Sequence, residues 1–93
     1  MATQRLEVLT GPAAGTSVAL SAAVSIGRSP ENTLQLDDLQ VSRRHAVVEP
    51  GPEGPLLRDL SSGNGTFVGG KRILDHRLRH GDVIRIGTQE LRY

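Results

Sequence analysis

Glycine and proline cut this chain into short apolar runs, and no run lasts long enough to carry a helical apolar stripe. The runs begin with Leu6-Glu7-Val8-Leu9, Ser17-Val18-Ala19-Leu20, Val24-Ser25-Ile26 and Thr33-Leu34-Gln35-Leu36. His45-Ala46-Val47-Val48, Leu56-Leu57-Arg58 and Thr66-Phe67-Val68 follow, and Asp82-Val83-Ile84-Arg85-Ile86 and Gln89-Glu90-Leu91-Arg92-Tyr93 close the chain. The last two alternate most clearly: Ile84 and Ile86 share one face, as do Leu91 and Tyr93. Turn chemistry separates the runs at Gly11-Pro12, Ser29-Pro30-Glu31-Asn32, Gly69-Gly70, Gly81-Asp82 and Gly87-Thr88. The stretch Pro50-Gly51-Pro52-Glu53-Gly54-Pro55 reads as a hairpin tip, too short to link two domains. Short strands at this spacing build an all-β sandwich or barrel.

The chain has 93 residues, enough for a single domain over positions 1–93 with a thin core. We expect it to be one module of a longer protein. Its 11 Lys plus Arg nearly balance 10 Asp plus Glu. A general nucleic-acid or membrane binder needs a strong basic excess, so neither nucleic acid nor membrane is expected as a partner. With no cysteine, disulfides and thiolate chemistry are excluded. After Met1-Ala2-Thr3-Gln4-Arg5 the chain alternates where a signal peptide would run apolar, so a cytoplasmic location is expected. The Arg, Ala and Gly content leans bacterial.

Three polar islands stand against the β background. Gly27-Arg28-Ser29-Pro30 follows a run, Ser42-Arg43-Arg44-His45 precedes one, and Ser61-Ser62-Gly63-Asn64-Gly65-Thr66 lies between two. Loops of a sandwich gather at its two ends, so islands distant in sequence can meet. Their chemistry suits a phosphate, which brings close to two negative charges and strong acceptor oxygens. Arg28 offers a bidentate fork; Ser42 and Arg43 add a hydroxyl and a second cation. Asn64 carries a donor and an acceptor and can pair with a peptide backbone.

Gly27-Arg28, then Ser42-x-x-His45, then Asp59-Leu60-x-Ser62-x-Asn64-Gly65-Thr66, closed by Gly81-Asp82-Val83-Ile84-x-Ile86-Gly87, resembles the forkhead-associated (FHA) domain from about Leu6 to Tyr93. The resemblance implies a two-sheet antiparallel β-sandwich of about eleven short strands. It implies that loops at one end read phosphothreonine on a protein marked by an upstream Ser/Thr kinase. By that likeness Arg28, Ser42, Arg43 and Gly63 make up the phosphothreonine-binding set, and Asn64 holds the peptide main chain. Gly27, His45, Gly65 and Thr66 support the loops. The family prefers phosphothreonine to phosphoserine, and one buried methyl contributes only about 0.8 kcal/mol, so selectivity also needs steric fit. Two positions depart from the family pattern. Gly63 stands where many members carry Thr or Ser, whose hydroxyl lies near the phosphate. Gly69-Gly70 stands where many carry Asn-Gly, and its first residue is expected near the peptide.

Other chemistries fit less well. Gly65-x-x-x-x-Gly70-Lys71 imitates a phosphate-binding loop, but Arg72 takes the place of the Ser or Thr that magnesium requires. Ser42 and His45 lack a nucleophile elbow, and His76 and His80 lack a third metal ligand. Neither an enzyme, a cofactor nor a metal is therefore expected. Asn64-Gly65 taken alone is a hairpin signal. Arg77 and Arg79 read as one face of a solvated edge strand. The alternative to phosphate reading is a phosphate-independent protein–protein or self-association module on the same sandwich.

Overall fold

The structure is a computed structural model and describes residues 4–93. Met1, Ala2 and Thr3, on which the signal-peptide reading partly rests, lie outside the described residues. The strands are β1 (Arg5–Val8), β2 (Ser17–Ala19), β3 (Val24–Gly27), β4 (Leu34–Gln35), β5 (Ala46–Glu49), β6 (Leu56–Asp59), β7 (Thr66–Val68), β8 (Lys71–Ile73), β9 (Asp75–Arg77), β10 (Val83–Ile86) and β11 (Gln89–Arg92). They form a six-stranded sheet in the order β2-β1-β11-β10-β7-β8 and a five-stranded sheet in the order β4-β3-β5-β6-β9. The two-sheet sandwich agrees with the expected fold class. One pair departs from the antiparallel pattern: β4 runs parallel to β3, with Ile26 beside Leu34.

Alternation decides which side chains face the core. Leu6, Val8, Val68, Ile84, Ile86 and Leu91 line the six-stranded sheet, and Val24, Ile26, Leu34, Ala46, Val48 and Leu57 line the other. Burying each removes apolar surface from water at about 25 cal/mol per Å². No aromatic ring belongs to the fully buried core: Tyr93 packs against it and is only partly buried. The apolar runs fall on β1 to β7, β10 and β11. Strands β8 and β9 have no such run; Lys71, Arg72, Asp75 and Arg77 are exposed, and only Ile73 and His76 turn partly inward.

Three connections position the site. The Pro50–Pro55 stretch joins β5 to β6, with Glu49 paired opposite Leu56, as a hairpin tip does. Gly69 and Gly70 close a two-residue turn between β7 and β8, with φ of 58° and 80° that suit glycine. Asn64-Gly65, by contrast, is no hairpin turn. It belongs to the loop that carries the chain from β6 in one sheet to β7 in the other. Arg77 ends the edge strand β9 and donates to the Gly54 carbonyl at 3.0 Å, while Arg79 lies beyond the strand. Those two arginines therefore do not share a strand face.

Candidate phosphopeptide site

The first loop leaves β3 at Gly27. A β-carbon placed on Gly27 would sit 2.2 Å from the Arg43 carbonyl oxygen, a contact no side chain tolerates. Its absence lets the loop between β4 and β5 approach, and the backbones lock together. The Arg28 amide donates to the Ser42 carbonyl at 3.0 Å, and the Ser29 amide donates to the Arg43 carbonyl at 3.2 Å. The amide nitrogen of Asn32 strengthens this junction by donating to the carbonyls of Ser29 and Arg43, each at 2.8 Å. Arg28 is partly buried, and its Nε donates to the Val41 carbonyl at 3.1 Å. That bond aims the guanidinium, and its two terminal nitrogens have no hydrogen bond among the described residues.

At the surface, the third island bonds to Ser42 of the second and to Gln40 just before it. The Gly63 amide donates to Ser42 Oγ at 3.2 Å, so the hydroxyl proton of Ser42 points elsewhere and is available to an acceptor. Asn64 Nδ2 donates to the Gln40 carbonyl at 2.8 Å, which fixes the amide plane and leaves Oδ1 without a partner. Arg43 and Arg44 are exposed, and neither guanidinium is in an ion pair among the described residues. Gly63 is exposed, and a β-carbon there would meet nothing within 4 Å.

Beneath the loops lies a buried polar layer. His45 is fully buried on the near side of β5. Its Nδ1 accepts the Ser42 amide at 3.0 Å, which assigns the ring proton to Nε2, and Nε2 donates to the Gly65 carbonyl at 2.8 Å. Ser42 Oγ is not the atom that meets the imidazole, so a nucleophile–base pair is not formed. Asp59, at the end of β6, accepts from the Ser62 amide at 3.0 Å, the Ser62 hydroxyl at 2.5 Å and the Thr66 hydroxyl at 2.7 Å. Burial works to raise the Asp59 pKa, but these bonds outweigh it and hold the carboxyl below its ordinary value. Ser62 Oγ in turn accepts the Gly65 amide at 3.0 Å.

A further acid anchors the second loop. Asp38 accepts from the Gln40 amide at 2.9 Å and the Thr88 amide at 2.9 Å, and also from the Thr88 hydroxyl. These bonds, the Thr88 hydroxyl first, keep its carboxyl well below the usual carboxylate range. They tie the loop bearing Gln40 to the hairpin between β10 and β11.

The structure thus brings Gly27, Arg28, Ser42, Arg43, His45, Gly63, Asn64, Gly65 and Thr66 to one end of the sandwich. Gly69 does not join them. It sits in the β7–β8 turn, at the far end of β7 from Gly65 and roughly 13 Å along the strand. Asn32, Asp38 and Gln40 tie the loops but have no part in the expected site set. Asp59 and Ser62 stand in the motif; their local signal is the Asp-x-x-Ser spacing, which suits a carboxylate capping an amide three residues on. Asn32 and Asp38 each bond one residue two or three positions away and one distant in sequence, Arg43 and Thr88 respectively, and no local pattern marks the distant bond. His76 lies on β9 and pairs with Asp82 at 3.0 Å, and no group of three metal-ligating side chains occurs among the described residues. No helix among those residues is long and apolar enough to cross a membrane.

Comparison with known proteins places this geometry. A family model described as the FHA domain matches residues 24–87. An ABC transporter ATP-binding/permease protein of Mycobacterium tuberculosis is 44% identical over 69 residues, which are 74% of this chain and 8% of that protein. The glycogen accumulation regulator GarA of the same organism is 39% identical over 87 residues, 92% of this chain and 54% of that protein. The chain thus spans about half, or far less, of these relatives' length. A solved FHA domain studied for phosphothreonine-dependent interactions superposes with a TM-score of 0.86 at 35% identity, covering 95% of this chain and 91% of that one. Motif order, sheet topology and matched span coincide: the chain belongs to the FHA domain family.

Proposed function

We propose that this domain binds phosphothreonine-containing segments of a partner protein and performs no chemistry on them. The observation that carries the reading is the hydrogen-bonded union of three loops around unfilled donors. Those donors are the terminal nitrogens of Arg28, the Ser42 hydroxyl and the exposed Arg43 guanidinium. Arg28 takes the phosphate as a fork, Ser42 donates one hydrogen bond, and Arg43 adds charge. Gly63 shapes the phosphate loop without contributing a side chain. Asn64 accepts a peptide N–H at Oδ1. Gly27, His45, Gly65 and Thr66 hold the loops. Each charge-assisted bond contributes about 1.5–3 kcal/mol. Three or four such bonds reach the roughly 8 kcal/mol of a micromolar complex once ordering costs are offset.

The phosphothreonine dependence reported for the solved FHA domain supports this reading. A Ser/Thr kinase elsewhere supplies the mark, and the domain, one module of a longer cytoplasmic signalling protein, brings its fused partners to it. The test is calorimetric titration with degenerate phosphothreonine, phosphoserine and unphosphorylated peptide pools. Binding confined to the phosphothreonine pool supports the reading. Equal binding of all pools would replace it with phosphate-independent docking.

A further inference from the structure

The single phenylalanine of the chain lies outside the core. Phe67, on β7, is half-buried on the outer face of the six-stranded sheet. The strand register sets Arg72 of β8 directly beside it on one flank and Arg85 of β10 on the other. Arg85 stacks over the ring, its guanidinium carbon 4.3 Å from the centroid. Stacking holds a guanidinium flat against the ring and leaves its N–H edge turned outward. Arg72 reaches toward the loops: a β-carbon on Gly65 would stand 2.7 Å from its Nε. An Arg-Phe-Arg strip therefore starts against the loop that bears Asn64 and crosses the sheet. Glu90 follows in the same register row beyond Arg85. Yet neither Arg72 nor Arg85 is in an ion pair among the described residues. Elsewhere on the same sheet face, Arg92 is paired to Glu7 at 2.7 Å, so guanidinium–carboxylate pairing does occur on this surface where geometry allows.

We infer that Arg72, Phe67 and Arg85 form a second contact surface for the same partner, one that takes an acidic segment of the phosphoprotein held in the loops. The charge pattern selects the occupant. Two unpaired guanidinium forks flanking a half-buried ring match carboxylates. Contiguity with Gly65 makes the strip reachable by a chain already bound at Asn64. Once the phosphothreonine is seated, contact at the strip is intramolecular, so weak surface pairs add to affinity through high effective concentration. The inference rests on the phosphothreonine reading of the loops.

The experiment compares one phosphothreonine peptide with the same peptide extended by glutamates at both ends. Each is titrated into the domain and into Arg72→Gln, Arg85→Gln and the double variant, with circular dichroism as a check on folding. The expected result is that the extension tightens binding to the unaltered domain about fivefold at low ionic strength and less as salt rises. Each single variant loses part of that gain and the double variant all of it, while Arg85→Gln keeps its affinity for the short peptide. A short peptide that binds with no gain from the extension, or a gain that survives in the double variant, overturns the inference alone. A short phosphopeptide that fails to bind overturns the loop reading and the inference with it.

Discussion

His45 and Gly65, twenty residues apart, are joined by a buried hydrogen bond of 2.8 Å from the imidazole Nε2 to the carbonyl oxygen. The other ring nitrogen accepts the Ser42 amide. One side chain therefore spans the second and third loops from below and satisfies a part-buried donor and a buried acceptor at once. Removing it strands both. We expect His45→Ala to destabilise the domain by about 3 kcal/mol, from one buried and one part-buried group left unpaired and a small cavity. Urea denaturation followed by intrinsic or dye fluorescence measures it. Stability within about 0.5 kcal/mol of the unaltered domain would show that the loops hold without the bridge.

Arg28 stands differently. Its aliphatic stem and Nε bond fix direction, but its terminal nitrogens serve no internal partner. Arg28→Ala should cost about 2 kcal/mol or more of phosphopeptide binding, roughly thirtyfold in Kd, with little change in melting temperature. Titration of this variant with an unchanged Kd would remove Arg28 from the phosphate site.

Gly63 lies in open space, and its φ is not among the positive values of this chain. A serine or threonine there is sterically free, and its hydroxyl would stand on the loop beside Ser42. We expect Gly63→Thr to tighten phosphothreonine binding by about 1 kcal/mol, the net worth of one hydrogen bond, without loss of stability. Equal or weaker affinity would show that the position does not face the phosphate.

The acid limb of stability follows from three carboxylates. Thr88 and neighbouring donors depress Asp38. In Asp59 and Asp82 burial opposes ionisation, but hydrogen bonds from Ser62 and Thr66 and from Arg79 and His76 prevail. Folded pKa values below the unfolded value of about 3.9 mean that the unfolded chain binds protons first on acidification. Their contribution is thus complete above that value and is lost as pH falls from roughly 4 through the folded pKa values. Melting temperature should drop across that window, and more shallowly in Asp59→Asn. Identical acid limbs for the two proteins would show that Asp59 does not contribute.

Local pattern alone determined the all-β class, most strands and most turns, because side-chain alternation and glycine or proline punctuation are properties of a few adjacent residues. It missed β8 and β9, where Lys71, Arg72, Asp75 and Arg77 mask the alternation and the strands are recognised only by their partners β7 and β6. The ordered motifs determined the family and which residues belong together at the site. Only tertiary structure decided that Asn64-Gly65 crosses between sheets instead of turning a hairpin, that Gly69 sits away from the site, and that Asn32 and Asp38 tie the loops. It alone set Phe67 outward between Arg72 and Arg85. The physical reason is that strand pairing and sheet membership are made by hydrogen bonds between residues far apart in the chain. Period-2 patterning says which side chains share a face, but not which strand lies beside which.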